Sequence, residues 1–157
     1  MKNLSPHIPW EEATHTDTGL RNEPTPAQIA NMQLWAYNIF EPTRVHFGKA
    51  INIKSLFRSP EVNNHKDVNG SATSDHLCNT GAAGDLDNDL KSPTNAEIFH
   101  YIKDNLTFDQ LIWEFGDATQ PAWVHVSYRK NSNRKEVKVS YKVIENGKKK
   151  TKYKNYI

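Results

Sequence analysis

Seven histidines are spread along the 157-residue chain: His7, His15, His46, His65, His76, His100 and His125. Residue type alone does not mark a ligand, so the neighbours of each must separate them. His76 lies in SDHLCNTGAAGDLD, nine positions before Asp85. Gly81 and Gly84 sit between the two, a composition suited to a backbone that turns tightly with no side chains in the way. His125 lies in WVHVSY. On a strand, Val124 and Val126 face one way and Trp123, His125 and Ser127 the other. Two histidines and one carboxylate form a ligand set that suits catalytic zinc, with water in the fourth position. The metal lowers the pKa of that water towards roughly 7 and polarises a carbonyl. Spacing alone leaves a second reading open, in which His76 and Asp85 pair within a loop and His125 belongs to the core.

Hydrolysis at such a centre also needs a base for the water and a donor for the oxyanion. Glu114 is the candidate base, because it lies on the apolar segment QLIWEF just before the His125 strand. Arg58 is the candidate electrophile, because its permanently charged guanidinium holds a carbonyl or carboxylate oxygen in fixed geometry.

The elements that must position these groups are legible in part. Residues 1–25 are polar and rich in Pro, Thr and His, and read as an extended lead-in with little regular structure. Thr25 as N-cap and Pro26 at the first position begin a helix over 26–41, which Pro42 and Thr43 should interrupt before Gly48. Alternation predicts a strand over 50–57 (AINIKSLF). Residues 61–73 read as a loop or short helix ending in a turn at Asn69-Gly70. Residues 82–87 read as a strand and 94–105 as a helix. Two strands follow, 110–115 and 122–128, joined by the turn GDATQP. Residues 136–144 and 148–156 form a hairpin about Asn146-Gly147. Helices first and an antiparallel sheet later make the class α+β, in a single domain over 1–157.

Composition narrows the setting. Sixteen aromatics (4 Trp, 6 Tyr, 6 Phe) supply bulky core material. The only cysteine, Cys78, allows no intrachain disulfide. No apolar run is long enough to span a membrane, and MKNLSPHIPWEEATHTD lacks an apolar signal core, so synthesis in a cytoplasm without a signal peptide is expected. The net charge is only +2, but Lys148, Lys149, Lys150, Lys152 and Lys154 cluster near the end. Such a run suits an anionic polymer, nucleic acid or membrane surface, or protects an edge strand from pairing.

Three motifs then resemble one family, the zinc D-Ala-D-Ala carboxypeptidases and related phage endolysin peptidases. SLFRSPEVN (55–63) resembles the family's Ser-Gly-aromatic-Arg-Ser strand end followed by Asn. Ser74-Asp75-His76 with Gly81-Ala82-Ala83-Gly84-Asp85 resembles its Ser-x-His and Gly-x-Ala-x-Asp. Trp123-Val124-His125-Val126-Ser127 resembles its late Trp-x-His-hydrophobic-Ser. The likeness covers roughly residues 15–130, in order. It implies a small antiparallel sheet with flanking helices, of the D-Ala-D-Ala carboxypeptidase or hedgehog type. It implies His76, Asp85 and His125 as zinc ligands, and Arg58 as the residue that contacts substrate and stabilises charge.

Two features depart from the family pattern. Ala122 stands where an acid often precedes the last histidine, which leaves Glu114, or Asp117 in the turn, as base. The stretch from His76 to Gly81 is longer than usual, which leaves Asp87 beside Asp85 as a rival ligand; Cys78, two after His76, is a further conceivable one. Ser74 either binds substrate or holds its loop, and Trp123 either walls the cleft or packs.

The resulting expectation is a monomeric zinc peptidase acting on peptidoglycan stem peptides at the bacterial cell wall, released by phage lysis or carried in a virion. It would have no specific nucleic-acid partner and no membrane insertion. The competing expectation is a non-catalytic zinc-containing virion or wall-binding module on the same fold.

Overall fold

The computed structural model describes residues 1–157. The lead-in differs from the sequence expectation. Asn3–Ser5 (β1) and Ile8–Pro9 (β2) pair as a small hairpin, and Trp10–Ala13 (α1) forms one helical turn. These elements are too short to announce themselves by periodicity, and tertiary contacts hold them. Leu4, Ile8 and Ala13 are buried in the main core. Glu41 accepts a 2.5 Å bond from Ser5 and a 2.6 Å bond from the His7 ring.

The first long helix begins with the expected cap. Thr25 and Gln28 form a capping box at the start of Pro26–Trp35 (α2). Pro42 does not interrupt it. The chain passes through a π-turn at Ala36–Phe40 into Glu41–Phe47 (α3). The Glu41 N–H reaches back five residues to the Ala36 carbonyl, so the turn widens just where Pro42 can offer no N–H. Gly48, at φ 61°, ends the helix in the left-handed region.

Ile53–Ser55 (β3) is shorter than the expected strand, and Pro60–Asn64 (α4) follows it with Ser59 as N-cap. Gly81–Leu86 (β4) is wholly buried, and Asn95–Asn105 (α5) starts with a second capping box, Thr94 and Glu97. Gln110–Glu114 (β5), Trp123–Arg129 (β6), Glu136–Glu145 (β7) and Lys148–Asn155 (β8) complete the chain.

Six strands form one sheet in the order β3-β4-β6-β5-β7-β8. The sheet is mixed rather than antiparallel, because β5 and β7 run parallel. The α+β class stands. Helices α2 and α5 cover one face. Trp35, Ile39, Phe40, Ile98, Phe99 and Ile102 pack there with Ala82, Leu86, Leu111, Trp113, Val124 and Val126. Each fully buried large apolar side chain contributes about 1.5–3 kcal/mol, and these contacts hold the sheet as a rigid platform. The opposite face carries the polar groups Asp85, His125 and Glu114. No helix is long and apolar enough to cross a membrane.

The glycine-rich segment also differs from expectation. It does not turn; it runs straight as β4. Gly84 is there because a Cβ would stand 2.2 Å from Cζ2 of Trp35. Trp35 is fully buried and its indole N–H donates to the Val126 carbonyl at 2.9 Å. The missing side chain lets the helix layer press directly onto the strand that carries Asp85.

Candidate metal centre and its surroundings

Asp85 and His125 are register partners on β4 and β6, so both project from the same face of the sheet. His125 Nδ1 lies 3.0 Å from Asp85 Oδ1. His76 arrives from a 3₁₀ turn, Asp75–Leu77, and its Nε2 lies 3.3 Å from Asp85 Oδ2. One candidate ligand atom from each of the three residues lies within 4.8 Å of the others, and together they can hold a metal ion.

Several bonds fix His76. Its Nδ1–H donates to the Leu56 carbonyl at 2.7 Å, and its own carbonyl accepts from the Arg58 N–H at 2.8 Å. Ser74 Oγ accepts from the His76 N–H at 3.3 Å, so Ser74 holds the turn. From α2, Gln28 donates to the Leu77 carbonyl and Asn31 to the Cys78 carbonyl. With Nδ1 committed to a carbonyl, the free lone pair is on Nε2, the arrangement metal-binding histidines use. Nε2 is buried and has no hydrogen-bond partner. An orphaned, correctly oriented imidazole nitrogen beside a carboxylate is the local reason the trio fits a cation.

The electrostatics agree. Burial lowers the His76 pKa, helped by the charges of Arg58 and His125, while Asp85 opposes; His76 is therefore neutral at pH 7. For His125, burial also acts downward, but the hydrogen bond and charge of Asp85, with Glu114, outweigh it and raise the pKa. Burial would raise the Asp85 carboxyl, yet the two histidines win and hold it well below the usual carboxylate range. The carboxylate is ionised and ready to ligate.

Arg58 lies against this group, with Nη2 3.2 Å from Asp85 Oδ2 and Nε donating to Ser55 Oγ at 3.1 Å. Asn22 sets the chain on either side of it. Its side chain donates to the Thr14 and Phe57 carbonyls and accepts from the Ser59 N–H at 2.7 Å. Sequence reasoning missed Asn22, because an asparagine in a polar lead-in carries no local signal. A 420 Å³ cleft opens here, lined in part by Arg58, Asp85, Trp123 and Lys54. The Lys54 ammonium lies 4.2 Å from the Trp123 ring centroid.

Glu114 pairs with Trp123 across β5 and β6, one strand over and one step along the same face from His125. It is only 8% exposed. Burial raises its pKa, opposed by a hydrogen bond from Ser140. Asp117, the alternative acid, is elsewhere. It caps its own turn, accepting from Thr119 N–H and Oγ1 and Gln120 N–H, and those bonds lower its pKa. Asp87 leaves the strand and accepts from Asn95 and the Asp89 N–H. Cys78 is fully buried outside the trio, its thiol pushed up to about 12 by burial.

A buried His-Asp-His group that can hold a metal ion, with a raised-pKa carboxylate nearby on the same face of an α+β sheet, is an arrangement suited to metal-dependent hydrolysis. The family follows from the sequence. Residues 7–127 match the Peptidase M15 family, and the chain belongs to it. Peptidases of this family are zinc-dependent. No individual curated protein matches the chain.

Proposed function

We propose that the protein hydrolyses peptide bonds in the stem peptides of bacterial peptidoglycan, as a D-Ala-D-Ala carboxypeptidase or an endolysin-type endopeptidase. His76, Asp85 and His125 hold the zinc. When bound, zinc supplies a Lewis acid and a water of lowered pKa. The observation that carries the reading is Glu114: a buried acid of raised pKa on the same face of the sheet as His125, which supports its assignment as general base. Glu114 accepts the proton of the attacking water and returns one to the leaving amine. Arg58 stabilises the charge that develops on the carbonyl oxygen. Trp123 and Lys54 wall the cleft, and Ser74 keeps His76 in place. The site of action is the cell wall, reached after phage-mediated release or within a virion.

The test is digestion of purified sacculi by zinc-loaded protein, with mass spectrometry of the products to name the bond cut. Glu114→Gln is expected to retain zinc and lose about 10²–10⁴-fold in rate. Asp117→Asn is expected to keep wild-type activity. His125→Ala is expected to lose zinc and activity together. Full activity in zinc-replete Glu114→Gln would overturn the base assignment. Tight wall binding without cleavage by wild-type protein would favour a non-catalytic module instead.

A further inference from the structure

The family match ends at residue 127, but the face that carries Glu114 continues onto β7 and β8. Parallel pairing sets Ser140 beside Glu114, and antiparallel pairing sets Tyr153 beside Ser140. Paired residues project from the same face of a sheet. The Ser140 hydroxyl donates to the Glu114 carboxylate, which fixes that face as the one bearing the site. Trp123, Glu114, Ser140 and Tyr153 therefore form one row across four strands.

Tyr153 closes the row opposite Trp123. Strands lie about 4.8 Å apart, so its Cα is about 10 Å from that of Glu114, and a phenol leaning inward bridges much of the gap. Burial chiefly opposes ionisation of its hydroxyl, with the charges of Glu114 and Asp85 acting in the same direction, and no protein group hydrogen-bonds it. The side chain is 55% exposed. It is a protonated, uncommitted donor two strands from Glu114 on the face that bears the site, and it has no packing role that requires the hydroxyl.

We propose that the C-terminal hairpin completes the cleft and that Tyr153 contacts substrate, its hydroxyl donating to a carbonyl of the bound peptide on the side of Glu114 away from Trp123. This rests on the peptidase reading above. Ser140 is a positioning residue in the same device, since it orients the carboxylate and is too covered to touch substrate: it is 1% exposed.

Tyr153→Phe removes one oxygen and nothing else. In the zinc-loaded protein it is expected to leave zinc content and melting temperature unchanged. It should lower kcat/KM on dye-labelled sacculi up to about tenfold, the worth of one neutral hydrogen bond. In the Glu114→Gln background, calorimetry with soluble muropeptides should show binding weakened by a similar factor. Wild-type turnover and wild-type binding in Tyr153→Phe would overturn the proposal, whatever Glu114→Gln does. A fully active Glu114→Gln protein would sink the base assignment alone; the Tyr153 comparison then stands in the wild-type background. Wild-type protein that neither cleaves sacculi nor binds muropeptides would overturn both readings.

Discussion

Glu114 shows how two opposed effects set one residue's chemistry. Burial favours the protonated acid, and the hydrogen bond from Ser140 favours the carboxylate; burial wins and the pKa rises. The acid limb of kcat/KM reports the ionisation of such a base in the free enzyme. Ser140→Ala deletes a donor to the charged form. The remaining balance tilts further to the protonated acid, so the limb should move to higher pH, with zinc content unchanged. A pH–rate profile of the two proteins decides it; a shift to lower pH would show that Ser140 does not support the base. His76 makes a related point. Its ligand character comes less from its own position in sequence than from the Leu56 carbonyl that commits Nδ1. Residue type gave the candidate, and a backbone group twenty positions away gave the tautomer.

At the scale of elements, β4 is the most constrained segment, because Asp85 faces the site while the Trp35 indole presses on the other side at Gly84. Gly84→Ala must move either the helix or the strand. Overpacking of this kind costs about 1–3 kcal/mol, and here displacement of β4 also moves Asp85. The variant should melt lower and bind zinc more weakly. Adding Trp35→Phe, which removes the clashing part of the indole, should recover some of both losses, a coupling that a double-mutant cycle reads directly. No recovery would mean that the close approach of Trp35 is not what requires glycine. Much of this layer was legible in sequence, because caps and alternation are local: Thr25 before Pro26 and the turn at Asn146-Gly147 each announced an element boundary. The β1–β2 hairpin, the π-turn before Pro42 and the parallel pairing of β5 with β7 were not legible, because tertiary contacts or strand register decide them. The same distinction holds at the site. His76, Asp85, His125, Arg58 and Glu114 sit in recognisable local contexts. Asn22, Ser140 and Tyr153 reach the site only through contacts between segments far apart in the chain.

For the molecule as a whole, the candidate metal centre joins three separately held pieces: the His76 turn tied to α2, the buried strand β4, and β6 in the middle of the sheet. Zinc that binds the folded state alone stabilises it by about 2.7 kcal/mol at a hundredfold excess over Kd. For a chain of this size that is about 5–10 °C in melting temperature. The gain should depend on pH through His125. His76 is already neutral at pH 7 and offers its lone pair, whereas the raised pKa of His125 means that zinc must displace its proton. In metal-free protein the imidazolium of His125, paired with Asp85, contributes stability below its unfolded-state pKa and loses it as pH rises through the raised folded value. Zinc needs the neutral ring, so its stabilisation develops over that same rise. The difference in melting temperature between zinc-loaded and chelator-treated protein should therefore be small near pH 5.5 and grow steadily to pH 8. Thermal unfolding across that range reads the difference directly, and a gap that widens towards acid would place the metal on groups other than His125.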